Sequence, residues 1–123
     1  HPVVHIMPEQ QEYLKKHQYG GTIRLGAWPC KIKHGSVLEK IYQKDLISDE
    51  RHRHRYEFNI DYKEKFEKAG MIFSGLSPDG KLVEAIEIPK NKFFVATQFH
   101  PEYISRPLSP HPLFLAFLKA CTK

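Results

Sequence analysis

The sequence predicts an α/β fold, with several short strands in a sheet and three helices flanking it. Two observations carry that expectation. Short runs of apolar residues alternate with polar ones at the two-residue period of a strand, as in Leu82 to Ile88. Elsewhere, start and stop signals for helices bracket stretches of helical period, as at Ser36 and Gly70. The length of 123 residues fits at most one compact domain, and the 41% hydrophobic content is enough for a core.

The elements follow in order. Val3-Val4-His5-Ile6-Met7 reads as a strand, and the polar EQQEYLKKHQ as an exposed loop ending at Gly20-Gly21. Thr22 to Leu25 and Ala27 to Ile32 alternate as two strand pieces around Gly26. Ser36, followed three residues later by Glu39, is a capping box that opens a helix through about Tyr42. Arg53 to Ile60 is β-like, and Asp61 to Ala69 reads as an amphipathic helix with Phe66 inward and Gly70 as its stop. Met71 to Gly75 and Leu82 to Ile88 form a hairpin through the turn residues Ser77-Pro78-Asp79-Gly80. Phe93 to Phe99 reads as a strand buried on both faces, running straight into His100-Pro101-Glu102. Pro112 starts a last helix whose Leu113, Phe114, Phe117 and Leu118 form one apolar stripe. A doubly buried strand needs more cover than these helices offer. The chain is therefore expected to pack against a part it does not include.

Composition narrows the function. No apolar run approaches the roughly 20 residues that span a bilayer, and HPVVHIMPEQ has no signal-peptide pattern. Cys30 and Cys121 are too few for a disulfide framework or a four-thiolate zinc site, so a reducing, cytoplasmic setting is expected. The net charge of +5 is diffuse except at Arg51-His52-Arg53-His54-Arg55. Aromatic residues near that run are limited to Tyr56 and Phe58, which disfavours nucleic acid as a partner.

Three local patterns could carry chemistry. In His100-Pro101-Glu102, an extended backbone would put both side chains on one side, where the carboxylate holds one imidazole nitrogen and leaves the other basic. A histidine merely ending the strand, beside a solvated Glu102, is the alternative. In RHRHRYE, Arg51, Arg53 and Arg55 would share one face, suited to a carboxylate or phosphate, and His52 and His54 the other. Two histidines could begin a metal site, but no third ligand stands nearby in sequence, and no metal is expected. A solvated basic edge strand explains the same run. GGTIRLG lacks the Lys-Ser/Thr of a P-loop and reads as a turn around a short strand. His1, His5, His17, His34 and His111 are scattered and read as no ligand set.

Taken together and in order, GGTIRLG, ERHRHRYEFN, GLSPDGKLVEAIEIP and FVATQFHPEYISRPLSPHPLF resemble the glutaminase domain of the CTP synthase family. HPE alone marks class I glutamine amidotransferases in general, and RHRHRYE with GGTIRLG narrows the resemblance to CTP synthase. The resemblance implies the C-terminal portion of a class I glutamine amidotransferase (flavodoxin-like) domain, with a mixed sheet and flanking helices, over residues 1–123. It also implies the chemistry. A glutaminase domain releases ammonia from L-glutamine through a Cys-His-Glu triad and a γ-glutamyl thioester. A synthetase domain uses ATP and Mg to activate UTP, which the ammonia converts to CTP, with GTP as effector and a homotetramer as the complete assembly.

Carried onto this chain, the resemblance makes His100 the general base and Glu102 the residue that orients it. Arg55 becomes the contact to the carboxylate of the glutamine substrate. The family's nucleophile stands in a Gly-x-Cys-x-Gly-x-Gln type motif, which this sequence lacks, and neither Cys30 nor Cys121 has a matching context. The chain is thus expected to be the C-terminal half of a glutaminase domain, without the nucleophile half or the synthetase domain, and inactive alone. ATP and Mg belong to the missing synthetase domain, and no cofactor is expected in this segment. A non-catalytic binding or regulatory module derived from an amidotransferase is the alternative, against which retention of both His100 and Glu102 argues.

Overall fold

The computed structural model describes residues 1–7, 24–47 and 49–122. The predicted loop EQQEYLKKHQ, Gly20-Gly21 and the strand start at Thr22 lie outside those residues. The strands are β1 (Val4–Ile6), β2 (Arg24–Ala27), β3 (Cys30–Ile32), β4 (Leu46–Ile47), β5 (Arg51–His54), β6 (Tyr56–Phe58), β7 (Ile72–Leu76), β8 (Val83–Glu87) and β9 (Val95–Thr97). The helices are α1 (Val37–Tyr42), α2 (Lys63–Lys68) and α3 (Pro112–Cys121). A five-stranded sheet has the order β4-β3-β7-β8-β9, and β1 pairs with β6 and β2 with β5. Every ladder among the described residues is antiparallel.

The core gathers Cys30, Ile32, Leu38, Ile47, Ala85, Phe99 and Leu113, drawn from the sheet, from α1 and α3, and from the segment after β9. Among the described glycines, Gly75 in β7 is the one closely packed on its Cβ side. A methyl group there would stand 2.7 Å from Cys30 Sγ and 3.0 Å from Ala85 Cβ, so the strands on either side can close in only over glycine.

Helix α1 is held at both levels of structure. Ser36 Oγ accepts from the Glu39 N–H at 3.0 Å, as the capping box predicts. The Glu39 carboxylate reaches back one residue further than expected, to the Gly35 N–H at 2.7 Å and to His34 at 2.8 Å. From β8, the buried Glu87 accepts the Val37 and Leu38 N–H groups at 3.0 and 2.8 Å. A carboxylate at a helix N-terminus complements both the free N–H groups and the dipole. Glu87 thereby ties a six-residue helix, too short to persist alone, to the sheet.

Four expectations need correction. β2 runs through Gly26, at φ +89°, and the break falls at Trp28-Pro29, where proline lacks a donor. The β-like stretch after Arg53 divides into β5 and β6 at Arg55 and ends in a 3-10 turn over Ile60–Tyr62. Of Phe93 to Phe99, only Val95–Thr97 is strand, and β9 is the edge of its sheet with Phe94 and Ala96 exposed. An apolar run does not by itself distinguish a central strand from an edge. In α3 only Leu113 is buried, while Phe117 and Leu118 are 51% and 58% exposed, so the stripe exists but is largely uncovered. Gly70 stops α2 as expected, at φ +96°, and Phe66 packs edge-on against Phe58.

Candidate active site

The strand β9 delivers His100 to the surface. Phe99, the preceding residue, is buried and anchors the segment, and the His100 N–H donates to the Arg51 carbonyl at 2.8 Å. Pro101 then opens a 3-10 turn over Pro101–Tyr103. The segment is therefore not extended, as the sequence reading assumed. The turn nevertheless swings Glu102 back, and His100 Nδ1 stands 2.8 Å from Glu102 Oε1. The His100 ring stacks on Tyr103, with centroids 5.0 Å apart and planes 17° from parallel.

This pair has the form a general base needs. Burial opposes charge on Glu102, but its own backbone N–H and the His100 ring outweigh that and hold the carboxyl below its ordinary value. An ionised Glu102 accepts the Nδ1 proton, which leaves Nε2 with the lone pair. The His100 side chain is 33% exposed.

The second group comes from β5, which pairs with β2 through Arg24↔His54, Leu25↔Arg53, Gly26↔His52 and Ala27↔Arg51. Strand alternation sends Arg51 and Arg53 to solvent while His52 is buried and His54 half-buried, the opposite faces that the sequence predicts, but the strand ends at His54 and Arg55 does not continue the arginine face. Arg55 sits at the break between β5 and β6. It lines an open cavity of about 430 Å³ together with Arg53, His54, Tyr56 and Gln98. Gln98 lies two residues before His100, so the cavity and the His-Pro-Glu turn adjoin along the chain. A larger cavity of about 680 Å³ lies between α1 and α3, among Lys40, Phe93 and Leu115, and contains no acid–base pair. Chemistry, not size, marks the site.

Behind β5 lies a buried polar cluster that the sequence reading missed. Arg24 Nη1 stands 2.6 Å from Glu84 Oε1, with both side chains almost wholly buried. His52 Nδ1 is 3.7 Å from Glu84 Oε2 and 3.0 Å from His54 Nε2. His54 Nδ1 donates to the Tyr56 carbonyl at 2.9 Å. Burial first, and the Arg24 guanidinium next, push His52 down to about 3. Burial likewise brings His54 to about 4, against the help of the Tyr56 carbonyl. Both rings are therefore neutral at pH 7. The expectation that no third ligand accompanies the histidines is corrected, since donor atoms of His52, His54 and Glu84 lie within 4.8 Å of one another. Glu84, however, already faces the Arg24 cation, and the two rings bond to each other.

Acid should loosen this cluster. Imidazoles in the unfolded chain take up protons near pH 6.5, whereas the folded ones resist until about 4 and about 3. The stability they contribute is complete above pH 6.5 and is lost progressively as pH falls through those lower values. Urea midpoints taken from pH 7 to pH 4 should fall, and fall less steeply in His52→Phe. Equal slopes for the two proteins would contradict the assignment.

Neither cysteine is placed as a nucleophile. Cys30 is buried in the core, and burial followed by the nearby Glu84 and Glu50 carboxylates pushes its thiol up to about 12. Cys121 is exposed in the last turn of α3. A second buried group, also unforeseen, joins the helices. Glu50 accepts from Tyr42 Oη at 2.5 Å and from His111 Nε2 at 2.7 Å, while His111 Nδ1 caps α3 by accepting the Leu113 N–H at 3.2 Å. Its position just before Pro112 was the available signal, because a residue preceding an N1 proline is an N-cap.

Comparison with known proteins finds relatives over nearly the whole chain. The family model for glutamine amidotransferase class-I matches residues 5–120. A CTP synthase of Staphylococcus epidermidis is 56% identical over 98% of this chain, and one of Staphylococcus aureus is 53% identical over 100% of it. The chain spans 22% of the length of each of these relatives. Among solved structures, the glutaminase domain of Trypanosoma brucei CTPS with bound acivicin is 40% identical, with a TM-score of 0.86 over 99% of this chain and 46% of that one. No described helix is long and apolar enough to cross a membrane. A sequence match over nearly the whole chain, a shared fold and a His-Glu pair at a strand end thus converge, and the chain belongs to the class-I glutamine amidotransferase family.

Proposed function

We propose that this chain is the C-terminal half of the glutaminase domain of a CTP synthase, supplying the acid–base and substrate-anchoring groups for release of ammonia from L-glutamine. The observation that carries the reading is the 2.8 Å contact between Glu102 and His100, two residues along the chain from Gln98, which lines one cavity with Arg55. In this reading the nucleophilic cysteine stands on a segment outside this sequence. His100 Nε2 takes the thiol proton, the thiolate attacks the glutamine amide carbon, and the protonated imidazole then donates to the departing ammonia. Arg55 holds the glutamine α-carboxylate, and Glu102 stabilises the imidazolium. Alone, the chain would lack the nucleophile and would not turn over glutamine.

The remaining parts of the proposal concern the complete enzyme. Ammonia passes to UTP that a synthetase domain has activated with ATP and Mg, GTP promotes the glutaminase step, and the enzyme is a cytoplasmic homotetramer. Purified complete enzyme should form CTP from UTP and ATP with either glutamine or ammonia as nitrogen source. Glutamine hydrolysis with no CTP would exclude the synthase part of the reading. CTP formation with ammonia but not with glutamine would exclude the glutaminase part.

A further inference from the structure

Arg55 occupies a single-residue gap between two strands, and a side chain anchored there points only as well as that gap is held. The Arg55 carbonyl accepts the Met7 N–H at 3.1 Å. The His54 ring spans the gap itself, its Nδ1–H donating to the Tyr56 carbonyl at 2.9 Å and closing a small ring of atoms around Arg55. A carbonyl can only accept, so Nδ1 carries the proton, and the neutral ring has a bare Nε2. That nitrogen accepts from His52 Nδ1–H at 3.0 Å.

His52 is fixed in turn. Its ring is buried, lies edge-on to Phe99 at 6.1 Å, and faces Glu84, which Arg24 holds at 2.6 Å. The orientation of His54 is thus set by interior groups on β2, β5 and β8 rather than by solvent. Although His54 lines the cavity, both its nitrogens are engaged inside the protein. It has no N–H to offer a bound molecule.

Resting on the reading of Arg55 as the glutamine anchor, we propose that His54 is a positioning residue for Arg55, fixing the backbone that aims the guanidinium at the substrate α-carboxylate. It acts through the His54–Tyr56 clasp and does not touch glutamine. Losing the clasp should therefore weaken glutamine binding and largely spare the chemical step. The effect should also vanish when the guanidinium is gone.

The test is glutamine hydrolysis by the complete enzyme, with KM and kcat measured for Arg55→Ala, His54→Phe, the double variant and His54→Asn. Phenylalanine keeps the ring volume and removes both bonds, and asparagine restores an N–H donor toward the Tyr56 carbonyl. His54→Phe should raise KM roughly tenfold, the loss of one positioning hydrogen bond, with kcat within about threefold. The double variant should match Arg55→Ala, and His54→Asn should recover most of the wild-type KM. An unchanged KM in His54→Phe, a loss carried by kcat, or a double variant whose KM is the product of the two single effects would overturn the proposal. If instead Arg55→Ala leaves KM unchanged, the anchoring role of Arg55 itself is wrong.

Discussion

Replacing His100 by alanine in the complete enzyme is expected to abolish glutamine-dependent CTP formation while sparing synthesis from free ammonia. The Glu102 carboxylate holds Nδ1 at 2.8 Å, so only Nε2 is left to exchange protons with a thiol and a departing amine. A positioned general acid–base contributes about 10²–10⁴-fold, which sets the expected loss in glutamine hydrolysis. Free ammonia needs no hydrolysis, so that route bypasses the pair. Parallel assays with the two nitrogen sources decide it, and an equal loss of both would contradict the role given to His100.

Arg55→Ala should chiefly weaken glutamine use. A guanidinium meeting a carboxylate is a charge-assisted contact of about 1.5–3 kcal/mol, or roughly 10- to 150-fold in kcat/KM. The loss should appear in KM, because the α-carboxylate lies away from the bond that breaks and is held alike in ground and transition states. An unaltered KM would remove Arg55 from the substrate site. Lysine should restore the charge but only part of the affinity, since it lacks the planar fork.

Much of this was legible in the sequence because it is local. The capping box at Ser36, the stop at Gly70 and the turn at Ser77-Pro78-Asp79-Gly80 each depend on neighbours within a few residues, and each forms where expected. The alternation of RHRHR likewise separated Arg51 and Arg53 from His52 and His54, on opposite faces of the strand. What was not legible depends on distant partners. Glu84 and Glu87 fall in an ordinary strand pattern, yet both are buried because Arg24 and the N-terminus of α1 come to meet them. Phe93 to Phe99 and the apolar stripe of α3 signalled burial, but the surfaces that would cover them are not among the described residues. The His100–Glu102 pair shows a third case. Its residues were identified correctly as neighbours, but a 3-10 turn rather than an extended backbone brings them together.

The claim at the centre is that this chain holds the base and the anchor of a glutaminase while the nucleophile lies elsewhere. Its most direct test is to treat the complete enzyme with a thiol-alkylating glutamine analogue and map the adduct by peptide mass. The expected result is one adduct, on a cysteine outside these 123 residues, suppressed by glutamine. An adduct on Cys30 or Cys121, equally suppressed by glutamine, would place the nucleophile within this chain and contradict the claim.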